Sequence, residues 1–167
     1  DAKLALSHLD VEEKQTAITG ASRDFFWYSP VLKSRLDHLV ADFLVRPKDE
    51  AEIIEILRVC YAHDVPVTTR GAGTGNYGQA MPMRGGCLLH LKHMDQVTHC
   101  EPGRVIVQPG CLLKDVDAYC IPACGHELRM FSSTWATATI GGFIAGGSGG
   151  VGSVTWGSLR ELGNIIR

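Results

Sequence analysis

Apolar and polar positions follow two different periods along this chain, and the changes of period mark its elements. Phe43-Leu44-Val45 is a continuous apolar run closed by Arg46 and Pro47, which reads as a short strand. Asp49 and Glu50 then place acids where a helix begins. Ile53, Ile54, Leu57, Cys60 and Tyr61 recur at helical spacing and predict one apolar face. That helix stops near His63-Asp64, and Val65 to Thr68 is the next strand. Strand, helix and strand in close succession make a βαβ unit, whose strands should run parallel with a right-handed crossover. After a glycine-rich turn, Gly86 to Leu91 gives a third strand, with His90 a strand residue and His93 a loop residue rather than ligands.

From Val97 the pattern changes. Val97 to Cys100 and Arg104 to Gln108 are two strands joined at Glu101-Pro102-Gly103, a tight turn that implies antiparallel pairing. Pro109-Gly110 breaks the second strand, and Leu112 to Tyr119 follows as a short helix with Leu113, Val116 and Tyr119 inward. Residues 1–42 read as helical but poorly periodic. Within them Phe25-Phe26-Trp27-Tyr28 forms an aromatic cluster suited to packing against a neighbouring surface. The expectation is an α+β (α/β) chain with an N-terminal helical segment at 1–42. A small parallel βαβ subdomain at 43–95 and a mainly antiparallel α+β subdomain at 96–167 follow it.

Two glycine-rich stretches carry the candidate chemistry. The first leaves the end of a parallel strand as Thr69-Arg70-Gly71-Ala72-Gly73-Thr74-Gly75-Asn76-Tyr77-Gly78. Glycine has no Cβ and tolerates positive φ, so a ligand can approach the backbone, and successive amides there form a concave nest for an anion. Open α/β sheets bind ligands at this end of their strands. Arg70 either adds charge to such a site or locks the loop. The second stretch runs from Ser132-Ser133-Thr134 through Thr137 to Gly150 and is rich in small and hydroxyl residues. Thr139, Ile140, Phe143 and Ile144 recur in it at helical spacing, which a flexible linker would not show.

Composition narrows the classes. With 167 residues, 45% of them hydrophobic, the chain can bury a core of its own. A net charge of −2 gives no reason to expect nucleic acid or an anionic membrane surface as partner. No apolar run reaches the roughly 18 residues that span a bilayer, and no basic, apolar leader opens the sequence, which starts on Asp1. Six cysteines stand at 60, 87, 100, 111, 120 and 124 without a Cys-x-x-Cys pair. Cys120, Cys124 and His126 come nearest to ligand spacing, with His99 and Cys100 able to join them. The two tight pairs of a structural zinc site are absent, so no metal is expected. Buried reduced thiols and a reducing, cytoplasmic setting are the expectation. A nucleoside triphosphatase is set aside because no Gly-Lys-Ser/Thr follows the first loop, and a Rossmann-type loop would open directly into a helix.

Two phosphate-type nests suggest a dinucleotide, and here the sequence resembles a known family. Pro66 to Gly75, Gln108-Pro109-Gly110, Ser132-Ser133-Thr134 with Ala138-Thr139-Ile140-Gly141-Gly142, and Gly149 through Gly157 carry the resemblance. It is to the PCMH-type FAD-binding domain of the vanillyl-alcohol oxidase/p-cresol methylhydroxylase flavoproteins. Among them it is nearest to the FAD-linked branch with glycolate oxidase and D-lactate dehydrogenase. The resemblance implies that Arg70, Gly71, Ala72, Gly73, Thr74 and Gly75 hold the FAD pyrophosphate, with Asn76 and Gln79 near the flavin or ribityl chain. It implies that Pro109, Gly110, Ser132, Ser133, Thr134, Ala138, Thr139, Gly141 and Gly142 lie along the cofactor, with Gly149, Ser153 and Val154 at its far end. Covalent members place a histidine where this sequence has Thr74, so the FAD should be non-covalent.

By the same resemblance, the protein is the FAD-binding portion of an oxidoreductase acting on a 2-hydroxy acid. Members continue into a cap domain bearing the catalytic bases, so the chain is expected to be truncated at its C-terminus. No catalytic residue is assigned within it, and a downstream cap or partner chain is implied. The alternatives are a stand-alone FAD or nucleotide-binding module with a partner chain, or an inactive fragment. Phe143, Ile144, Ile165, Ile166 and the aromatic cluster are expected as exposed apolar surface that makes the chain associate with itself.

Overall fold

The computed structural model describes residues 1–25, 29–147, 149–159 and 161. Phe26, Trp27 and Tyr28 of the aromatic cluster, and Ile165 and Ile166, lie outside the described residues. The chain divides into two compact units, Asp1–His93 and Met94–Arg167, each with its own core.

The first unit is a four-stranded sheet built from β1 (Val11–Glu12), β2 (Phe43–Val45), β3 (Val67–Arg70) and β4 (Cys87–His90). Its order is β1-β2-β4-β3, with β1 antiparallel to β2 and the other pairs parallel. The expected βαβ unit is therefore spread: β2 and β3 do not touch, because β4 lies between them. The central strands are buried on both faces, as continuous apolar runs require. Phe43, Val45, Cys87 and Leu89 face one core with Ile56 and Cys60, while Leu44 and Leu88 face another with Ile18 and Ala41.

Helix α4 (Glu50–Ala62) starts where the sequence places it, since the Asp49 carboxylate accepts the Glu52 amide at 2.9 Å. Its buried side differs from the expected one. Ile56 and Cys60 are fully buried with Ile53 and Val59 against them, whereas Ile54, Leu57 and Tyr61 are exposed. The helix carries two overlapping apolar stripes, and contact with the sheet and with α1 (Ala2–Ala5) selects one. β3 begins at Val67 rather than Val65 because Pro66 has no amide to pair; instead its carbonyl accepts from Cys87 at 2.8 Å. The first 42 residues share this unit: Ala2 and Leu6 join one core, and Ile18 of α2 (Gln15–Ala21) joins the other. The Ser29 hydroxyl caps α3 (Pro30–Leu36) with Pro30 in its first turn.

The second unit opens with an antiparallel hairpin, β5 (Val97–Glu101) and β6 (Arg104–Val107), turning at Gly103 with φ +82°. Helix α5 (Leu113–Cys124) packs on β5. It runs five residues beyond the expected Tyr119 end, through Pro122, and stops at Gly125 in the left-handed conformation. Leu113, Val116 and Cys120 point inward, and Tyr119 is half exposed. α6 (Ile140–Gly146) buries Ile140 and Phe143, with Ile144 packed against the same core; α7 (Ser153–Trp156) follows. Phe143 and Ile144 are thus core residues and not free surface. A satisfied packing position also explains their helical spacing.

Cys60, Cys87, Cys111 and Cys120 are buried free thiols. Cys100 and Cys124, expected to be reduced, are paired as a disulfide that joins β5 to the end of α5. They lie 24 residues apart, and only the packing of the helix on the strand brings them together. No helix among the described residues is long and apolar enough to cross a membrane.

Candidate functional site

The first glycine loop leaves β3 at Arg70, which pairs in register with His90 of β4. Arg70 does not project outward as a free cation. Its guanidinium turns back beneath the loop and donates to the carbonyls of Arg23 and Ala72. Gly73 lies directly over it with φ +70°, and a Cβ there would come within 2.6 Å of Nη1. Asp24, buried, accepts the Gly78 amide at 2.9 Å through Oδ2, and the Phe25 amide donates to the Gly75 carbonyl at 2.7 Å. Arg23, Asp24 and Phe25 therefore stitch the N-terminal region to both ends of the loop. Burial lowers the pKa of Arg70, and the nearby Asp24 carboxylate opposes that shift.

His90 sits under the same turn. Burial, then the cationic neighbours Arg70, Lys92 and Arg46, push its pKa down to about 4, against a hydrogen bond to the Gly71 backbone. The imidazole is neutral at pH 7 and acts as a filler and hydrogen-bonding strut.

What this bracing leaves open is the backbone itself. Among the described residues, none accepts a hydrogen bond from the amides of Ala72, Gly73, Thr74, Gly75 or Asn76. Unpaired amides in a half-buried turn call for an external acceptor, and five in succession make the nest that suits a pyrophosphate. The residues present fit the phosphate portion of a dinucleotide. Asn76, the last of the five, is exposed. Gln79 folds its Oε1 back to the Tyr77 amide at 3.1 Å and packs at Gly75.

The second stretch is built differently. The Gly141 amide donates to the Pro109 carbonyl at 2.9 Å, the Gly142 amide to the capping hydroxyl of Thr139 at 3.2 Å, and the Gly110 amide to Met94 at 2.7 Å. A Cβ on Gly141 would fall 2.7 Å from both the Cβ and the carbonyl oxygen of Pro109. Gly150 and Gly152 lie in the same way against the carbonyls of Phe131 and Arg129. These glycines permit backbone to pack on backbone. Ala138 and Thr139 are buried in that packing, and the Ala138 carbonyl accepts from Leu113 at 3.0 Å.

Open donors occur instead at Ser132, Ser133 and Thr134, whose amides donate to no described residue. The Ser132 and Thr134 hydroxyls stand 3.0 Å apart there. Buried Asp117 of α5 holds the loop that presents them, accepting from the Leu128 amide at 2.8 Å and from the Trp135 indole at 3.0 Å. Ser153 accepts the Gly150 amide at 2.8 Å, Gly149 is exposed, and Val154 is fully exposed.

The structure thus gathers Arg70 to Gln79 in the first unit, and Pro109, Gly110 and Ser132 to Gly142 in the second. Sequence reasoning missed Asp24 and Asp117, because each acts on a turn far away in sequence, Asp24 across 54 residues. A lone acid just before an aromatic run, and one on the apolar side of a helix, were the available signals.

The sequence pattern of a family described as "FAD binding domain" matches residues 41–163. Glycolate oxidase subunit GlcD of Bacillus subtilis is 33% identical over 122 residues, covering 72% of this chain and 26% of that protein. D-lactate dehydrogenase of Archaeoglobus fulgidus is 34% identical over 120 residues, covering 71% and 26%. The chain spans about a quarter of the length of these relatives. A solved alkyldihydroxyacetonephosphate synthase shares the fold with a TM-score of 0.77 at 17% identity, over 89% of this chain and 31% of that one. With a match over most of its length, the chain belongs to the FAD binding domain family.

Proposed function

We propose that this chain is the FAD-binding portion of a flavin-dependent oxidoreductase that oxidises a 2-hydroxy acid such as glycolate or D-lactate. The observation that carries the reading is the run of five open amides at residues 72–76, fixed from below by Arg70 and from the side by Asp24. In this reading the amides of Gly71 to Gly75 hold the pyrophosphate, with Asn76 and Gln79 next to the flavin or ribityl chain. Ser132 and Thr134 offer hydroxyls, and with Ser133 offer amides, to the same cofactor class. Pro109, Gly110, Gly141 and Gly142 act by shaping that segment, and Gly149, Ser153 and Val154 mark the far contact. Thr74 offers no nucleophilic nitrogen to the flavin ring, which supports non-covalent binding.

When bound, FAD supplies the hydride acceptor. The residues of this chain bind and orient; no proton-transfer role is assigned to any of them. The relatives named for glycolate and D-lactate oxidation support the substrate class. Because the chain spans about a quarter of those relatives, the catalytic acid or base and the substrate contacts are assigned to a cap domain or to a partner chain. A cytoplasmic setting belongs to the same proposal: the four buried free thiols favour it, and the Cys100–Cys124 disulfide weighs against it.

The test is acid precipitation of the purified full-length protein. Flavin should appear in the supernatant without proteolysis and should be FAD. Colour that stays in the precipitate, FMN in the supernatant, or no flavin at all would overturn the respective part of the reading.

A further inference from the structure

Three sulfur atoms from two elements meet at the core of the second unit. Cys120 and Cys124 lie one turn apart on α5, and Cys100 stands on β5, against which that helix packs. Their Sγ atoms all lie within 4.8 Å of one another. Two sulfurs held at about 2.3 Å by one ion can be at most about 4.6 Å apart, so small side-chain adjustments put all three on a single cation. Cys120 is buried and the other two half-buried, within a cluster of Leu113, Val116, Met130 and Phe143. Both carboxylate oxygens of the nearby Asp117 are occupied by Leu128 and Trp135. The donor set is therefore purely thiolate, which selects soft, thiophilic ions over magnesium or calcium.

We propose that, with the Cys100–Cys124 disulfide reduced, Cys100, Cys120 and Cys124 form a three-thiolate site for a divalent d10 cation of the zinc class. A dication leaves less net charge in this apolar core than a monovalent ion would. The fourth position is open to water or an imidazole; His126, two residues past Cys124, hydrogen-bonds the Cys124 carbonyl through Nδ1 at 2.7 Å. The sequence shows no metal motif because β5 contributes the third ligand across the fold. Reduction of the disulfide by a low-molecular-weight thiol consumes two equivalents of thiol, yields one external disulfide and frees both cysteines. Metal binding then releases the thiol protons to solvent. Two of the three ligands are lost when the disulfide reforms, so the site exists in one redox state.

The experiment is anaerobic titration of the reduced, reductant-free full chain with Cd2+, read by the ultraviolet sulfur-to-cadmium charge-transfer band, and repeated with Zn2+ as competitor. One equivalent should saturate the band, and Zn2+ should displace it. Cys120→Ser and Cys124→Ser should each lose it, while Cys60→Ala, in the other unit, should keep it. Diamide-oxidised wild type should give no band and needs no substitution, so a folding defect in a variant cannot hide the answer. Absence of a stoichiometric band in the reduced protein overturns the proposal. So does a band that survives in both serine variants or in the oxidised protein.

Discussion

Replacing Asp24 with alanine isolates the brace under the first glycine loop. Asp24 is 4% exposed, accepts the Gly78 amide at 2.9 Å and opposes the desolvation of Arg70. Its loss leaves one half-buried amide without its acceptor and removes a negative charge from the neighbourhood of one half-buried guanidinium. A hydrogen bond to a charged group contributes about 1.5–3 kcal/mol, and the Coulombic attraction of Asp24 for Arg70 adds to it. The partial exposure of Arg70 keeps that second contribution small, so the two together come to about 3 kcal/mol. Asn at this position keeps an acceptor for Gly78 and loses only the charge, so Asp24→Asn should cost about 1 kcal/mol. Amide hydrogen exchange on β2 and β4 reports the first unit alone and should accelerate about a hundredfold in Asp24→Ala, and a few-fold in Asp24→Asn. FAD retention should fall in the same order. Equal exchange in wild type and Asp24→Ala would refute the brace, and equal exchange in the two variants would refute the role of the charge.

Gly73→Val should abolish FAD retention while the apoprotein keeps its helices by circular dichroism, because a branched Cβ meets the Arg70 guanidinium and φ is +70°; unchanged flavin content would remove this loop from the site. His90 should make the first unit acid-sensitive. Its folded pKa of about 4 lies below the ordinary 6.5, so its contribution is complete above pH 6.5 and is lost as pH falls towards 4. Up to about 3 kcal/mol is at stake, and His90→Gln should flatten stability against pH in that window. Gly141→Ala should lower the unfolding midpoint of the second unit through overpacking on Pro109, at a cost of about 1–3 kcal/mol; a thermal melt indistinguishable from wild type would contradict the close approach.

The elements that were legible in the sequence are those whose signal is local. The α4 start at Asp49, the β5–β6 turn at Gly103 and the α6 spacing of Ile140 and Phe143 each rest on residues within one or two turns of each other. Strand order did not follow from such signals: β4 takes the place between β2 and β3 because pairing is decided by burial on both faces, not by succession along the chain. The α4 face was displaced for a related reason, since Ile54 and Leu57 are as apolar as Ile53 and Ile56. At the candidate site the glycines were legible and their supports were not. Arg23, Asp24 and Phe25 act through one carbonyl, one carboxylate and one amide in a region without period. The Cys100–Cys124 bond escaped in the same way.

The two glycine stretches look alike in composition and differ in what they do with their amides. From Ala72 to Asn76 the donors meet no acceptor among the described residues, because Arg70 and Asp24 fix the turn through the Arg23 and Ala72 carbonyls and the Gly78 amide. At Gly141 and Gly142 the donors are consumed by Pro109 and Thr139, and the missing Cβ serves close packing instead. Glycine density therefore marks close approach of any kind. What separates a ligand cradle from a packing seam is the count of amides left without an acceptor once the fold is complete. By that criterion the amides of Gly141 and Gly142 are spent, while those of Ser132, Ser133 and Thr134 donate to no described residue. These three lie with the mutually bonded Ser132 and Thr134 hydroxyls on a loop that Asp117 pins.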